Sequence, residues 1–155
     1  MITTVQVQVN VTKSAIASLL CSAIEAGPTN GCGYWGIADE DFSQQPLVLS
    51  KLSAPELRKQ ALAECKLFDK ECWYVHWPLF EGGKLVFIEH NGYNDNGELV
   101  EVARHTLDLE SIKRGLEVLA NKFPYRFADV LMDDTDGPCG DLFLQCCFFG
   151  EEKYA

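Results

Sequence analysis

Cysteine and histidine are the side chains of this sequence that could do covalent chemistry or hold a metal ion. The histidines, His76, His90 and His105, lie far apart, and no C-x-x-C pair or H-x-x-x-H spacing groups ligands together. Zinc is therefore unsupported, and we expect no metal and no cofactor. A thiol can still meet a histidine in space as nucleophile and base. An enzyme that uses Cys32 or Cys72 is our third hypothesis, behind two binding functions.

Two short strings resemble ligand-binding motifs but lack their context. Gly31-Cys-Gly-Tyr-Trp-Gly36 spells G-x-G-x-x-G, yet a predicted helix precedes it and no clear helix follows, so a turn fits better than a phosphate cradle. Asp134-Thr-Asp-Gly resembles half of an EF-hand loop, but Met132 and Phe143 would stand at its first and twelfth ligand positions. A solvated acidic loop is the better interpretation.

The adjacent rings of Tyr34 and Trp35 are the strongest candidates for a binding site. They stand in a segment rich in Gly, Asn and Asp, where two large rings are costly to expose. Such rings can stack on a flat ligand, or they can form core or a protein interface, and both alternatives stay open. Basic side chains from residues 51–70, among them Arg58, or from 104–126 could meet a phosphate.

Length and charge bound the class of protein. The 155 residues are 47% hydrophobic and 23% charged, which predicts one compact domain over residues 1–155. A net charge of −10 argues against direct binding of nucleic acid and against an anionic membrane surface. Residues 129–155 hold seven acidic side chains and one lysine, whereas residues 51–70 hold five basic and three acidic ones. An acidic surface can engage a basic groove on a partner.

The seven cysteines are an odd number for a disulfide framework, and residues 1–9 alternate apolar and polar side chains without the apolar run of a secretory signal. No window approaches the length of a membrane span. We therefore expect a cytoplasmic protein with free, mostly buried thiols, and no membrane association.

Hydrophobic periodicity predicts the elements of the fold. Val5, Val7, Val9 and Val11 predict a half-buried strand over 2–11, and a helix follows over 14–26. Segment 29–45 reads as an ordered loop with a short strand at 33–37, and 53–68 as a helix. Strands at 84–90 and 98–104 flank the hairpin turn at 94–97. Helices are predicted from 108 to 123, around 127–131 and, after a loop at 133–140, over 142–149. This order predicts an α+β fold in which helices pack on an antiparallel sheet.

Several motifs near the two ends of the chain resemble a family of small, largely uncharacterised bacteriophage proteins. In that family a helix ends in Glu-Gly-Gly, Asn-Tyr-Trp follows, and the C-terminal part reads Ala-Asp-x-Leu, Asp-x-Phe-Leu-Gln and Phe-Gly-Glu. The matching motifs here are Glu25-Ala-Gly27, Tyr34-Trp35, Phe127-Ala-Asp-Val-Leu, Asp141-Leu-Phe-Leu-Gln145 and Phe149-Gly-Glu.

The likeness covers the first 35 residues and about the last 50. It departs from the family at Ala26, where the pattern has Gly, and in the longer stretch from Pro28 to Gly33. The resemblance implies a phage or prophage origin and an α+β fold, and no activity. It nominates as site residues Glu25, Tyr34, Trp35, Asp141 and Gln145.

These observations lead to two binding hypotheses. The first is a non-catalytic phage counter-defence protein that sequesters a nucleotide-type host immune signal, with Arg58 added to the nominated residues. The second is an acidic, anti-CRISPR-like inhibitor that docks through residues 129–152 on a host defence protein that handles nucleic acid. A homo-oligomer would be expected if an aromatic patch stays exposed.

Overall fold

The structure is a computed structural model that describes residues 2–47, residue 56 and residues 73–155. Apart from residue 56, the predicted helix over 53–68, with Arg58 in it, lies outside the described residues, and so does Cys72. The described part is an α+β fold with a three-stranded antiparallel sheet and five α-helices, as the sequence predicts.

The first helix, α1, spans Lys13–Glu25. Thr12 caps it by accepting a hydrogen bond from the Ala15 N–H at 3.1 Å, and this cap satisfies one of the free donors of the first turn. The side chains of Ala17, Leu19 and Leu20 on α1 are fully buried. A short helix, α2 (Gly27–Asn30), and a 3-10 turn at Cys32–Tyr34 then lead into the sheet.

The sheet consists of β1 (Gly36–Gln44), β2 (Lys84–Tyr93) and β3 (Leu99–Leu107), and β2 lies in the centre. A hairpin joins β2 to β3, and Gly97 in its turn has a φ of 76°, as the Asn-Gly signal predicts. Leu85 and Phe87 of β2 point into the core, where Phe87 pairs with His105 of β3. A second 3-10 segment at Trp73–Leu79 precedes β2.

Three helices follow the sheet: α3 (Leu109–Lys122), α4 (Pro124–Leu131) and α5 (Gly137–Phe149). Side-chain caps start two of them, since Asp108 accepts from the Ser111 N–H and Asp136 accepts from the Cys139 N–H, each at 2.9 Å. Helix α5 ends at Gly150, whose φ of 68° is the left-handed conformation that glycine adopts without strain.

Helix α5 is the centre of the fold, because every residue from Cys139 to Cys147 is buried. Two glycines allow its neighbours to come close. A Cβ on Gly140 would lie 2.8 Å from the Cβ of Ala23 in α1, and a Cβ on Gly115 of α3 would collide with Cys147. The apolar run over 142–149, which helix or strand could explain on pattern alone, is helical because α1 and α3 enclose it.

Three of the elements predicted from the sequence differ from those in the structure. Residues 2–10 are exposed and form no strand, because no described strand lies beside them to accept their alternating valines. The segment 29–45 is more regular than a loop, since β1 runs on to Gln44 alongside β2. The loop predicted at 133–140 ends earlier, because Pro138 occupies the first turn of α5, where a missing N–H costs nothing. None of the helices in the described part of the chain is long and apolar enough to cross a membrane.

Candidate ligand-binding site

Four of the nominated residues meet at one place between α5 and the segment before β1. Asp141 accepts hydrogen bonds from three donors: the Trp35 Nε1–H at 2.6 Å, the Tyr34 hydroxyl at 2.8 Å and the Gln145 amide at 3.2 Å. Asp141 and Gln145 are one helical turn apart on α5, so both face the same side. The structure therefore brings together residues that are more than 100 positions apart in the sequence.

Gln145 uses its remaining hydrogen-bonding capacity on the segment Lys153–Tyr154, which folds back after Gly150. The Gln145 Oε1 accepts from the backbone N–H groups of Lys153 at 2.8 Å and Tyr154 at 2.7 Å. Its amide donates to the Tyr154 carbonyl at 3.0 Å. Gln145 is 1% exposed, and its side chain holds this segment much as a neighbouring backbone strand would.

The two rings of the Tyr34-Trp35 pair have different environments. Trp35 is completely buried, stacks in parallel on Tyr154 at 5.5 Å, and contacts the edges of Phe148 and Phe149. Trp35 is therefore a core residue, which is one of the two alternatives that the sequence left open, and its ring cannot stack on a ligand. Tyr34 is 38% exposed, so only this ring of the pair is available to a ligand.

A second buried carboxylate, Glu89 of β2, holds the same segment from the sheet side. Its Oε1 accepts from the Lys153 ammonium and the Tyr154 hydroxyl, and its Oε2 contacts His105 Nε2 at 2.7 Å. Glu89 is 1% exposed. Burial acts to raise its pKa, but the hydrogen bonds from Lys153, Tyr154 and His105 outweigh burial and lower the pKa to about 2.

Sequence reasoning missed the Glu89 cluster, although a signal was present. Leu85, Phe87 and Glu89 occupy alternate positions of β2, so they point to the same face of the sheet. Because Leu85 and Phe87 are core residues, the pattern places a carboxylate on a buried face, where it needs donors. The identity of those donors depends on how Lys153 and Tyr154 fold back.

A cleft of about 570 Å³ opens beside the exposed edge of Tyr34. This volume lies within the range of about 300–1,000 Å³ that is common for small-molecule sites. Helices α2, α4 and α5 form its walls, and its lining includes Pro28, Tyr34, Arg126, Asp141, Glu152 and Tyr154. Trp35 is not part of the lining.

The charges in the cleft are mixed. Arg126 is its basic side chain, and its guanidinium lies 3.8 Å from Asp129 and 3.9 Å from Asp136, which are longer than charge-assisted hydrogen bonds. Asp141 and Glu152 are acidic. Burial, followed by the hydrogen bond to Asp141, raises the pKa of Tyr34 above its ordinary value, so the hydroxyl stays protonated as a donor.

Of the two other nominated residues, only Glu25 is described. It is exposed at the end of α1 and is not part of the cleft lining. Arg58 lies outside the described residues. The cation that the structure does place in the cleft, Arg126, belongs to the 104–126 range in which the sequence predicts a phosphate-binding side chain.

Four buried cysteines are poor nucleophiles. Cys32, Cys139, Cys146 and Cys147 are free thiols enclosed in the core. Burial, with a smaller contribution from Asp141, raises the pKa of Cys32 to about 12, which keeps this thiol protonated. Within residues 2–47 and 73–155, no group of three or more His, Cys, Asp or Glu side chains could hold a metal ion.

Comparison with known proteins adds no relative to these observations. No family model, curated protein or solved structure matches the chain.

Proposed function

We propose that this protein acts by binding and not by catalysis, and that it sequesters a nucleotide-type ligand in the cleft beside Tyr34. In the phage counter-defence role that we propose, the ligand would be a host immune signal. The observation that carries the proposal is the cleft itself, where a half-exposed aromatic ring and an arginine line one cavity of about 570 Å³.

The roles of the two side chains follow from their chemistry. The hydroxyl of Tyr34 is held by Asp141, so the ring has a fixed orientation and can contact a base without a large loss of side-chain entropy. Arg126 is 43% exposed and makes only long contacts to carboxylates, so its guanidinium can turn to a phosphate oxygen. A preformed ring and a mobile cation are the two contacts that a nucleotide needs.

The carboxylates of the cleft limit how much negative charge a ligand can carry. Asp141 and Glu152 lie in the same lining as Arg126, so a run of adjacent phosphates would meet repulsion that one guanidinium does not offset. A ligand with one phosphodiester group, such as a cyclic nucleotide, fits this charge balance better than a nucleoside triphosphate does.

Titration calorimetry with cyclic mononucleotides, cyclic dinucleotides, ADP-ribose and ATP tests the proposal. We expect heat of binding with at least one cyclic nucleotide, a weaker response to ATP, and recovery of the ligand intact by mass spectrometry. Arg126→Ala should weaken binding at least tenfold. Lys113→Ala removes the same charge from an exposed position of α3 outside the cleft and should bind as the unmodified protein does.

Two outcomes would refute this function. Absence of binding across the whole panel would remove nucleotide sequestration, and conversion of the ligand into a product would show an enzyme. A similar loss of affinity in the Arg126→Ala and Lys113→Ala variants would show that general charge, and not the cleft, attracts the ligand.

A second candidate function is an acidic inhibitor that docks on a host effector, and one surface favours it. Tyr125 and Met132 are 89% and 76% exposed and lie seven residues apart, so they share a face of α4 with Asp129. Exposed apolar side chains beside carboxylates are typical of a patch that binds a basic protein surface. If inhibition of a host nuclease complex is lost in the Tyr125→Ala, Met132→Ala double variant and kept in Arg126→Ala, this candidate replaces the first.

A further inference from the structure

The segment of residues 2–10 has a composition that conflicts with its exposure. Ile2, Val5 and Val7 are 95%, 74% and 77% exposed, and Val9 is 44% exposed. The segment contains no charged residue, no Pro and no Gly, in a chain whose net charge is −10. β-branched side chains without a charge or a strand breaker are the features that make a strand pair with another.

The segment is anchored at one end and open at the other. Val11 packs against the core, and Thr12 caps α1, so residues 2–10 leave the molecule from a fixed point. Nine extended residues reach about 30 Å at ~3.3 Å per residue. This length matches strand β3, which also has nine residues.

Strand β3 offers an edge that can accept another strand. The sheet order is β1-β2-β3, and within residues 2–47 and 73–155 no strand pairs with the outer edge of β3. Val100 and Val102 of β3 are 41% and 48% exposed, so apolar side chains are available next to that edge. An open edge with exposed valines is a site at which a strand adds through backbone hydrogen bonds.

We propose that residues 2–10 form a strand that adds to the outer edge of β3 in a second copy of this chain. Donor and acceptor belong to the same molecule, so two copies can exchange segments symmetrically and close a dimer. Two copies repel each other through their charge, and an uncharged segment makes contact possible at the lowest electrostatic cost.

The position of the anchor favours exchange over addition within one copy. The Lys13 ammonium lies 4.1 Å from the centroid of the Phe80 ring, so the segment leaves the molecule near the end of the sheet where β2 begins and β3 ends. In its own copy it would run parallel to β3. Alternation of apolar and polar residues is typical of antiparallel pairing with one face in water, which a second copy allows.

Sedimentation velocity of the full chain over a wide range of concentrations tests the proposal. We expect a monomer-dimer equilibrium, because the small area of two added strands gives a weak interface. The Gln6→Pro, Val7→Pro double variant removes two adjacent N–H donors and should shift the equilibrium to monomer at least tenfold. A matched Gln6→Thr, Val7→Ile variant keeps the propensity for strand and should still dimerise.

Hydrogen exchange then locates the contact. In the dimer, amides in 2–10 and in β3 should both exchange more slowly, and dilution or the double proline variant should abolish this protection. A protein that stays monomeric at all concentrations, or a dimer that survives the two prolines, contradicts the proposal. Loss of the dimer without any change of exchange in β3 contradicts the choice of that edge.

Discussion

Asp141 and Glu89 are both buried carboxylates, yet their hydrogen-bond donors differ in kind. Asp141 accepts from the neutral donors of Trp35, Tyr34 and Gln145, and two of those residues are 0% and 1% exposed. Glu89 accepts from the charged Lys153, from Tyr154 and from His105, and the Lys153 side chain is 44% exposed.

The difference shows which carboxylate belongs to the core and which to the folded-back segment. The buried donors of Trp35 and Gln145 cannot turn to solvent if Asp141 is removed, so the loss falls on the whole fold. The Lys153 ammonium can return to solvent, so loss of Glu89 releases the segment before it unfolds the domain. The first carboxylate therefore fixes the architecture, and the second controls local opening.

Removal of Asp141 should have the largest effect. In Asp141→Ala the buried Trp35 N–H loses its acceptor and the Gln145 amide loses one of its acceptors, and each buried N–H left unpaired costs about 1–3 kcal/mol. We expect the free energy of unfolding in urea to fall by about 3 kcal/mol or more. Asp141→Asn keeps one acceptor oxygen and should lose less. Equal losses in the two variants would show that the hydrogen bonds are not the cause.

Removal of the Glu89 charge should have a smaller and more local effect. Glu89→Gln weakens the contacts to Lys153 and Tyr154, and we expect a loss of about 1–2 kcal/mol, because one of the donors is solvent-accessible. Hydrogen exchange at residues 151–155 should accelerate while the amides of α5 stay protected. If exchange accelerated equally in 151–155 and in α5, Glu89 would stabilise the whole fold, as we expect of Asp141.

The pH dependence of stability should show the contribution of Glu89. The folded pKa of Glu89, about 2, lies below its ordinary value of 4.5, so its ionised form stabilises the folded state above pH 4.5. This contribution is lost as the pH falls from 4.5 towards 2. Unfolding midpoints measured over that window should decline more steeply in the unmodified protein than in Glu89→Gln. Parallel curves would rule out Glu89 as the titrating group.

The smallest effect is expected at the exposed ion pairs of the sheet. Arg104 lies 2.5 Å from Asp39 and 2.6 Å from Glu101, and its side chain is 39% exposed. Water and salt screen such pairs, so Arg104→Ala should lower the free energy of unfolding in urea by less than Glu89→Gln does. If Arg104→Ala lowered the free energy of unfolding as much as Glu89→Gln does, solvent exposure would not explain the difference between surface and buried ion pairs.

The α+β class was predictable because most element signals are local. Caps at Thr12 and Asp108 and the Asn-Gly hairpin turn each depend on a few adjacent residues. The valines of 2–11 predicted a strand that the structure does not contain, because a period of two does not say whether a partner strand exists in the same molecule.

The site was predictable in part. Tyr34, Trp35, Asp141 and Gln145 were nominated through a resemblance, and the structure brings them together. Their contacts to one another and to Tyr154 join residues more than 100 positions apart, which no local pattern encodes. The burial of Trp35 depends on the ring of Tyr154 reaching it after the turn at Gly150, so the sequence left its environment open.

The return of the chain after Gly150 has a practical consequence for anyone who labels this protein. Ala155 lies in the lining of the cleft, so an affinity handle or fluorophore fused directly after it would begin at the mouth of the cleft and crowd any small molecule entering there. Calorimetry on such a fusion would underestimate affinity. The exposed hairpin tip around Asp95, which is not part of the cleft lining, is a better position for an inserted label.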